Sequence, residues 1–199
     1  ETDDIPALIK IAIAHYQFEA IHPFEDGNGR IGRLLVLLNM CDENVFDEEP
    51  LLTGPFINLS NYFLRSRQEY YDRLMAVSAN GDYTSWIKFF LRAVERQSRH
   101  AIRTLDQAGS LRKNFKGQAD EEGVPEVAKD VVDELFSNPI ITIPKVEKKF
   151  NVSYQTANKA IHSLEEKDIL EETEPGRRPK KFICRDILNI VYSDFEWTI

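Results

Sequence analysis

The chain has little cysteine: Cys41 and Cys184 are the only two in 199 residues. Neither has a Cys or His neighbour at metal-ligand spacing, so the sequence predicts neither a disulfide framework nor a zinc site. Two isolated thiols are typical of proteins that work in a reducing compartment. We therefore expect both cysteines to be free and buried, and the protein to be cytoplasmic.

Long apolar runs and a surplus of positive charge are also missing. No apolar run approaches the roughly 20 residues that a membrane-spanning helix needs, and the N-terminus lacks the pattern of a secretory signal. The chain has 25 Lys and Arg residues against 33 Asp and Glu residues, a net charge of −8. This balance argues against an indiscriminate nucleic-acid binder, because affinity for phosphate backbones depends on Lys and Arg.

What the sequence does contain, over its first part, is a series of helical patterns. Apolar residues recur at helical spacing from 5 to 20 and predict a largely buried helix. Further apolar patterns predict helices at 31–40, 59–79 and 84–115. The polar segment that follows has two glycines and no apolar period, which predicts a linker at 113–123.

The pattern after Gly123 is different. It predicts helices at 124–136, 144–150 and 153–167, a short strand at 140–143, and a hairpin around the basic turn GRRPK. Three helices followed by a hairpin indicate a winged helix-turn-helix. The predicted fold class is therefore mainly α: a helical bundle over 1–112, the linker, and a small α/β winged helix-turn-helix domain over 124–199.

The segment with the strongest chemical pattern is 22–33, HPFEDGNGRIGR. Its glycines let backbone N–H groups approach a ligand, and the start of the next helix favours an anion. Arg30 and Arg33 can add charge-assisted hydrogen bonds to phosphate oxygens. The acidic pair beside such a site suggests a bridging Mg²⁺, and His22 can accept a proton from an attacking hydroxyl. The pattern predicts a site for a nucleotide di- or triphosphate.

Other interpretations of this segment are weaker. The chain contains no GxxxxGK[ST], so the loop is not a Walker A motif. It is not an EF-hand, because Arg30 and Leu37 stand where calcium ligands would be needed. A Gly- and Asn-rich turn between two helices, with solvated arginines, is the remaining structural alternative. The other histidines, which we interpret as unpaired and without ligand spacing, are His15, His100 and His162.

HPFEDGNGRIGR resembles the Fic family signature HxFx[DE]GNGRxxR at every specified position. The preceding IKIAIAHYQFEAI and the later NYFLRSRQEYYDRL are similar to the helices around that motif, so the resemblance covers about residues 4–110. It implies a protein adenylyltransferase that moves AMP from ATP to a Ser, Thr or Tyr hydroxyl of a target protein. Retention of both glycines of the GNG segment favours AMP as the transferred group.

The resemblance implies a role for each motif residue. His22 would take the proton of the target hydroxyl, and Asp26 would hold Mg²⁺ between the α- and β-phosphates. Gly27, Asn28 and Gly29 would cradle the phosphates, with Asn28 donating to the α-phosphate oxygens.

The remaining assignments concern the leaving group, the loop and the adenine ring. Arg30 and Arg33 would hold the β- and γ-phosphates as pyrophosphate leaves. Phe24 would point the other way, as a hydrophobic anchor that fixes the loop. Tyr71, the second residue of the Tyr70-Tyr71 pair, would lie against adenine.

The sequence also departs from the family pattern. The family's β-hairpin flap lies upstream of the motif helix, so we expect that this chain lacks the N-terminal part of the domain. The inhibitory motif [ST]xxxE[GN] has no match. An inhibitory helix would therefore lie upstream or on an antitoxin-like partner, and a second copy of the chain stays open as a partner.

A second function remains open for the C-terminal part. Acidic residues outnumber basic ones over 124–199, yet Arg177, Arg178, Lys180 and Lys181 cluster on the predicted wing. Such a cluster could contact DNA. The alternative to AMP transfer is a DNA-binding transcriptional regulator in which the Fic part senses nucleotide or is inert.

Overall fold

The computed structural model describes residues 5–42, 45, 58–174, 176 and 178–192. The chain forms two compact units, Glu1–Ile102 and Arg103–Ile199. Within the described ranges the fold is mainly helical, as predicted, and none of the helices has the length and apolar character that crossing a bilayer requires.

The first unit is a bundle of helices. Its elements are α1 (Ala7–Ile21), α2 (Asn28–Asp42), α3 (Leu59–Arg65), α4 (Arg67–Asn80) and the beginning of α5 (Tyr83–Ala119). The centre of its core is aromatic: Trp86, Phe89 and Phe90 of α5 are fully buried and Phe63 of α3 packs among them. Trp86 also donates its indole N–H to the carbonyl of Ala12 (2.8 Å), which joins α5 to α1.

Two breaks in the helical patterns position the site. α1 ends at His22, whose backbone is left-handed (φ 49°) and whose N–H donates to Phe18 O at 3.0 Å. Pro23 then prevents the helix from continuing. The helix predicted at 59–79 is two helices in the structure, because the chain leaves the helical conformation at Ser66. Nothing in the structure explains that break.

The second unit contains the end of α5 and four shorter helices with a small sheet. The helices are α6 (Val127–Ser137), α7 (Ile143–Phe150), α8 (Tyr154–Glu166) and α9 (Arg185–Tyr192), and the strands are β1 (Ile140–Ile141), β2 (Glu171–Glu172) and β3 (Phe182–Ile183). The sheet is antiparallel with β3 in the middle, and Ile183 pairs with both Ile140 and Glu171. Ser153 caps α8, with its side chain accepting the N–H of Thr156.

Two expectations for this unit differ from the structure. Residues 113–119, predicted as linker, are helical because Phe115 and Ala119 are buried in the core of the second unit. The polar composition of the segment hid these two contacts. Helix α9 was not predicted; it buries Ile187 against the same core. Neither cysteine forms a disulfide, and Cys184 is buried, but Cys41 is only partly buried.

Candidate active site

A pocket of about 320 Å³ lies where α1 and α2 meet α4. Four of the residues singled out in the sequence line it together: His22, Gly29, Arg33 and Tyr71. They come from the end of α1, the beginning of α2 and the middle of α4. The pocket therefore brings a potential base, a helix N-terminus, a cation and an aromatic ring to one place.

The connecting loop is held by Asn28. This side chain is buried (2% exposed), accepts the N–H of Phe24 (3.0 Å) and donates to the carbonyl of Phe24 (2.6 Å). Its remaining amide hydrogen meets Nδ1 of His22 at 3.1 Å. Both N–H groups of the Asn28 amide are thus used inside the protein. Donation to an α-phosphate oxygen, which the sequence predicted, requires one of these bonds to be exchanged.

The ring of Phe24 is a weaker hydrophobic anchor than expected. Its ring is 48% exposed and meets Phe18 with 6.3 Å between ring centroids. The buried anchor of the loop is Asn28, which holds Phe24 by the backbone. A hydrogen-bonded amide can fix a loop more specifically than a ring, because both of its ends need matching partners.

Asp26 lies on the loop with a fully hydrated side chain, 93% exposed. Its carboxylate accepts the N–H of Gly27 (2.7 Å) and an N–H of Arg30 (3.1 Å). The carboxylate therefore occupies the position beside a helix N-terminus that an anion would take. No cluster of three or more His, Cys, Asp or Glu side chains suited to a metal occurs among the residues that the structure describes.

The two arginines of the motif differ in their surroundings. Arg30 is exposed and pairs with Asp26, whereas Arg33 is partly buried and donates Nε–H to the hydroxyl of Ser60 at 3.1 Å. Arg33 lines the pocket with His22 and also a neighbouring pocket of about 290 Å³, where Arg30 and Asn58 join it. Arg33 is thus the residue common to both pockets.

The two tyrosines of the pair point to different environments. Tyr70 is buried, whereas Tyr71 is 53% exposed at the pocket and carries the guanidinium of Arg67 over its ring at 5.7 Å. Tyr71 is therefore accessible to a ligand, whereas Tyr70 is part of the core.

Beneath the pocket lies a buried polar cluster that the sequence reasoning missed. His15 is 3% exposed, donates from Nδ1 to Gly32 O (3.1 Å) and accepts from the Tyr70 hydroxyl at Nε2 (3.0 Å). The interpretation of His15 as unpaired is therefore wrong. Burial lowers the pKa of His15 to about 4, so the ring is neutral near pH 7.

Glu19 completes this cluster. Its Oε1 is buried, has no hydrogen-bond partner among the described residues and lies 4.0 Å from His15 Nε2. Burial raises the pKa of the Glu19 carboxyl, against the opposing effect of Arg33. The spacing of His15, Glu19 and His22 on one face of α1 was the available signal in the sequence.

The basic residues of the predicted wing lie in the second unit. Arg177 is outside the described residues. Arg178 and Lys181 are exposed and line a shallow pocket of about 200 Å³, and Lys180 is paired with Glu172 at 2.8 Å. His162, interpreted as unpaired, instead bonds to Glu165 at 2.8 Å.

The segment that contains the motif is similar to a known protein family. Residues 1–40 match the model of the Fic/DOC family. The chain is similar to a probable protein adenylyltransferase of Aquifex aeolicus (strain VF5), with 42% identity over 64 residues, 32% of this chain and 18% of the relative. It is also similar to protein adenylyltransferase fic-1 of Caenorhabditis elegans, with 28% identity over 122 residues, 61% of this chain and 21% of the relative. The chain thus spans about a fifth of the length of these relatives.

Proposed function

We propose, from the premise that residues 1–40 are a Fic/DOC family segment, that this chain transfers AMP from ATP to a Ser, Thr or Tyr hydroxyl of a target protein and releases pyrophosphate. The observation that carries the proposal is the shared pocket of His22, Gly29, Arg33 and Tyr71. The names of the two relatives support the same reaction.

His22 is the proposed base. It takes the proton of the target hydroxyl as that oxygen forms a bond to the α-phosphorus and the bond from the α-phosphorus to the bridging oxygen of pyrophosphate breaks. A well-placed base contributes about 10²–10⁴-fold to such a step. The exposed position of His22 at the end of α1 leaves room for a target side chain.

The phosphates are proposed to bind at the beginning of α2. Gly27, Asn28 and Gly29 surround the helix N-terminus, and Arg30 and Arg33 supply positive charge from the same turn. Asp26 already bonds to Gly27 N–H and Arg30 there. A phosphate has the same kind of acceptor oxygens, so the Asp26 contacts support an anion site.

Asp26 is the proposed Mg²⁺ ligand. Mg²⁺ is commonly bound by one or two carboxylates together with substrate phosphates and water, so a single hydrated carboxylate beside the phosphate site fits this ion. Bound there, Mg²⁺ would offset phosphate charge. On ATP binding, the Asp26 carboxylate would give up its contacts with Gly27 and Arg30.

Tyr71 is the proposed adenine contact. Its ring is half exposed and lines the same pocket as His22 and Gly29. Stacking on an aromatic ring is sequence-tolerant and needs an accessible face, which Tyr70 lacks.

For residues 124–199 we propose a winged helix-turn-helix. The order α6, β1, α7, α8, β2, β3 and the antiparallel sheet support this assignment. Much of its basic charge is offset by acidic partners: Lys180 by Glu172, Arg185 by Glu171, and both Lys145 and Lys149 by Glu134. This favours AMP transfer over a DNA-binding regulator as the main function.

The position of the label in ATP tests the proposed reaction. The chain is incubated with Mg²⁺, a lysate as the source of target proteins, and ATP labelled at the α- or the γ-phosphorus. We expect protein-bound label from the α-position that His22→Ala does not give, and equal label from the γ-position with the two chains. Label from the γ-position that exceeds the label with His22→Ala would indicate a kinase instead and would overturn the proposal.

The DNA alternative has its own test. A gel shift with duplex DNA compares the chain with a variant carrying Arg178→Ala and Lys181→Ala. A salt-sensitive affinity that falls in the variant would support DNA binding through the wing. Absent or unchanged binding would remove this alternative.

A further inference from the structure

The orientation of the Asn28 amide is fixed by the backbone of Phe24. Asn28 Oδ1 faces the Phe24 N–H and Asn28 Nδ2 faces the Phe24 carbonyl, at 3.0 Å and 2.6 Å. A backbone N–H can only donate and a carbonyl can only accept. In a flipped amide, Nδ2 would face the Phe24 N–H, which is also a donor, and Oδ1 would face the Phe24 carbonyl, which is also an acceptor. The atom that faces His22 is therefore the nitrogen.

This orientation determines the tautomer of His22. Asn28 Nδ2 lies 3.1 Å from His22 Nδ1, and an amide nitrogen donates but does not accept. Nδ1 must therefore carry the lone pair. Because a neutral imidazole has one protonated and one unprotonated nitrogen, neutral His22 carries its proton on Nε2.

A base needs a lone pair that is free. The lone pair of His22 is on Nδ1, where the Asn28 amide already bonds to it. Moving the proton to Nδ1, to free Nε2, would direct an N–H at the amide nitrogen. While the Asn28 amide stays in place, neither nitrogen of neutral His22 can accept a proton.

We propose that Asn28 is a positioning residue that gates His22: its amide blocks the lone pair of the base, and a bound nucleotide releases it. The inference rests on the proposed function, in which His22 deprotonates the target hydroxyl. A phosphate oxygen is the competing acceptor for the Asn28 N–H, and a hydrogen bond to a charged oxygen is about twice as strong as a neutral one. The released Nδ1 then takes the hydroxyl proton as the oxygen bonds to the α-phosphorus and pyrophosphate departs.

The gate links base activation to substrate binding. Asn28 is buried, whereas His22 is exposed. Without such a bond, an exposed imidazole would be a base whether or not ATP was present. With it, the base becomes available when a phosphate group draws the amide away.

The first test uses the unsubstituted chain and nuclear magnetic resonance. In ¹⁵N-labelled protein at about pH 8, where free imidazole is neutral, we expect His22 to be protonated at Nε2. We also expect a scalar coupling across the hydrogen bond between Asn28 Nδ2 and His22 Nδ1. A proton on Nδ1, or no coupling between these nitrogens, would overturn the proposal.

The second test measures whether the lone pair is blocked. Diethyl pyrocarbonate acylates the unprotonated nitrogen of neutral imidazole, and peptide mass spectrometry follows each histidine separately. Despite its exposure, His22 should react at least about tenfold more slowly than free imidazole, a factor that corresponds to about 1.4 kcal/mol. In Asn28→Ala the rate should return to that of free imidazole.

The matched control is Asn39→Ala. Asn39 is in the same helix, and its amide also bonds to a backbone carbonyl, that of Leu35 at 2.8 Å, without contacting His22. His22 should remain slow in this variant. Fast acylation of His22 in the unsubstituted chain would overturn the gate, and so would equal rates in the two variants. Neither test uses ATP or a target, so a failure of AMP transfer is distinguishable from a failure of the gate.

Discussion

Arg33 donates a hydrogen bond from Nε to the hydroxyl of Ser60, with 3.1 Å between the two atoms. This contact fixes the guanidinium of a residue that lines both of the pockets described above. A planar group held at one edge loses less side-chain entropy on binding phosphate. We therefore expect Ser60, a residue outside the motif, to contribute to nucleotide affinity through this bond.

The arginine itself should matter most for binding. Arg33→Ala should weaken ATP binding by about 10- to 100-fold, because a hydrogen bond to a charged group contributes about 1.5–3 kcal/mol. Arg33→Lys should not restore affinity, since an ammonium cannot bond to Ser60 and phosphate with the same planar geometry. Ser60→Ala should show a smaller loss of the same sign.

Isothermal titration calorimetry with ATP measures these differences. Arg65→Ala is the control, because Arg65 is exposed on the neighbouring helix α3 and lines neither pocket. Equal affinities for Arg33→Ala and Arg65→Ala would contradict the assignment of Arg33.

His22 should affect the chemistry rather than binding. It lies outside the turn proposed to bind phosphate, at the end of α1. We expect His22→Ala to lower AMP transfer by at least about 10²–10⁴-fold, while calorimetry shows no loss of ATP affinity. A parallel loss of affinity would assign His22 to nucleotide binding.

The close packing of α1 against α2 gives a test of the buried cluster. A Cβ on Gly32 would lie 2.5 Å from Glu19 Oε1, 3.1 Å from the Phe18 ring and 3.2 Å from the His15 ring. Gly32→Ala should therefore destabilise the first unit, by about 1–3 kcal/mol for an overpacked core. The measurement is the free energy of unfolding in urea.

A matched glycine is available in α5. Gly109 is helical, and a Cβ there meets nothing within 4 Å. Gly109→Ala should stabilise the protein by about 0.5–1 kcal/mol, because alanine loses less backbone freedom in a helix. Adding Glu19→Ala to Gly32→Ala should restore part of the lost stability. If Gly32→Ala and Gly109→Ala change the free energy of unfolding alike, a Cβ at position 32 is not overpacked against Glu19.

The sequence predicted which residues line the pocket better than it predicted the hydrogen bonds among the residues of the site. His22, Gly29, Arg33 and Tyr71 could be singled out because their residue types and spacing suit phosphate and base chemistry. The bond from Asn28 to His22 could not, because it depends on the left-handed backbone at His22 and on the direction of the Phe24 peptide. The helical continuation through Phe115 and Ala119 was hidden for a similar reason: contacts with the second core outweigh the polar composition of the segment.

The neutral state of His15 should appear in the pH dependence of stability. Burial lowers the pKa of His15 to about 4 in the folded chain, from 6.5 when it is free. Between these values the unfolded chain binds a proton that the folded chain does not, so stability falls as the pH decreases. The loss in free energy of unfolding should reach about 3 kcal/mol below pH 4, since each unit of pKa corresponds to about 1.36 kcal/mol.

His15→Gln isolates this contribution. The variant keeps polar atoms between Gly32 and Tyr70 but cannot titrate, and Glu19, whose raised pKa acts in the opposite direction, is present in both proteins. The advantage of the unsubstituted chain over the variant in free energy of unfolding should be largest near pH 7. It should shrink by about 2–3 kcal/mol by pH 4.5. Parallel stability curves for the two proteins over this range would mean that folded His15 takes up its proton over the same pH range as unfolded His15, and the lowered pKa would then be wrong.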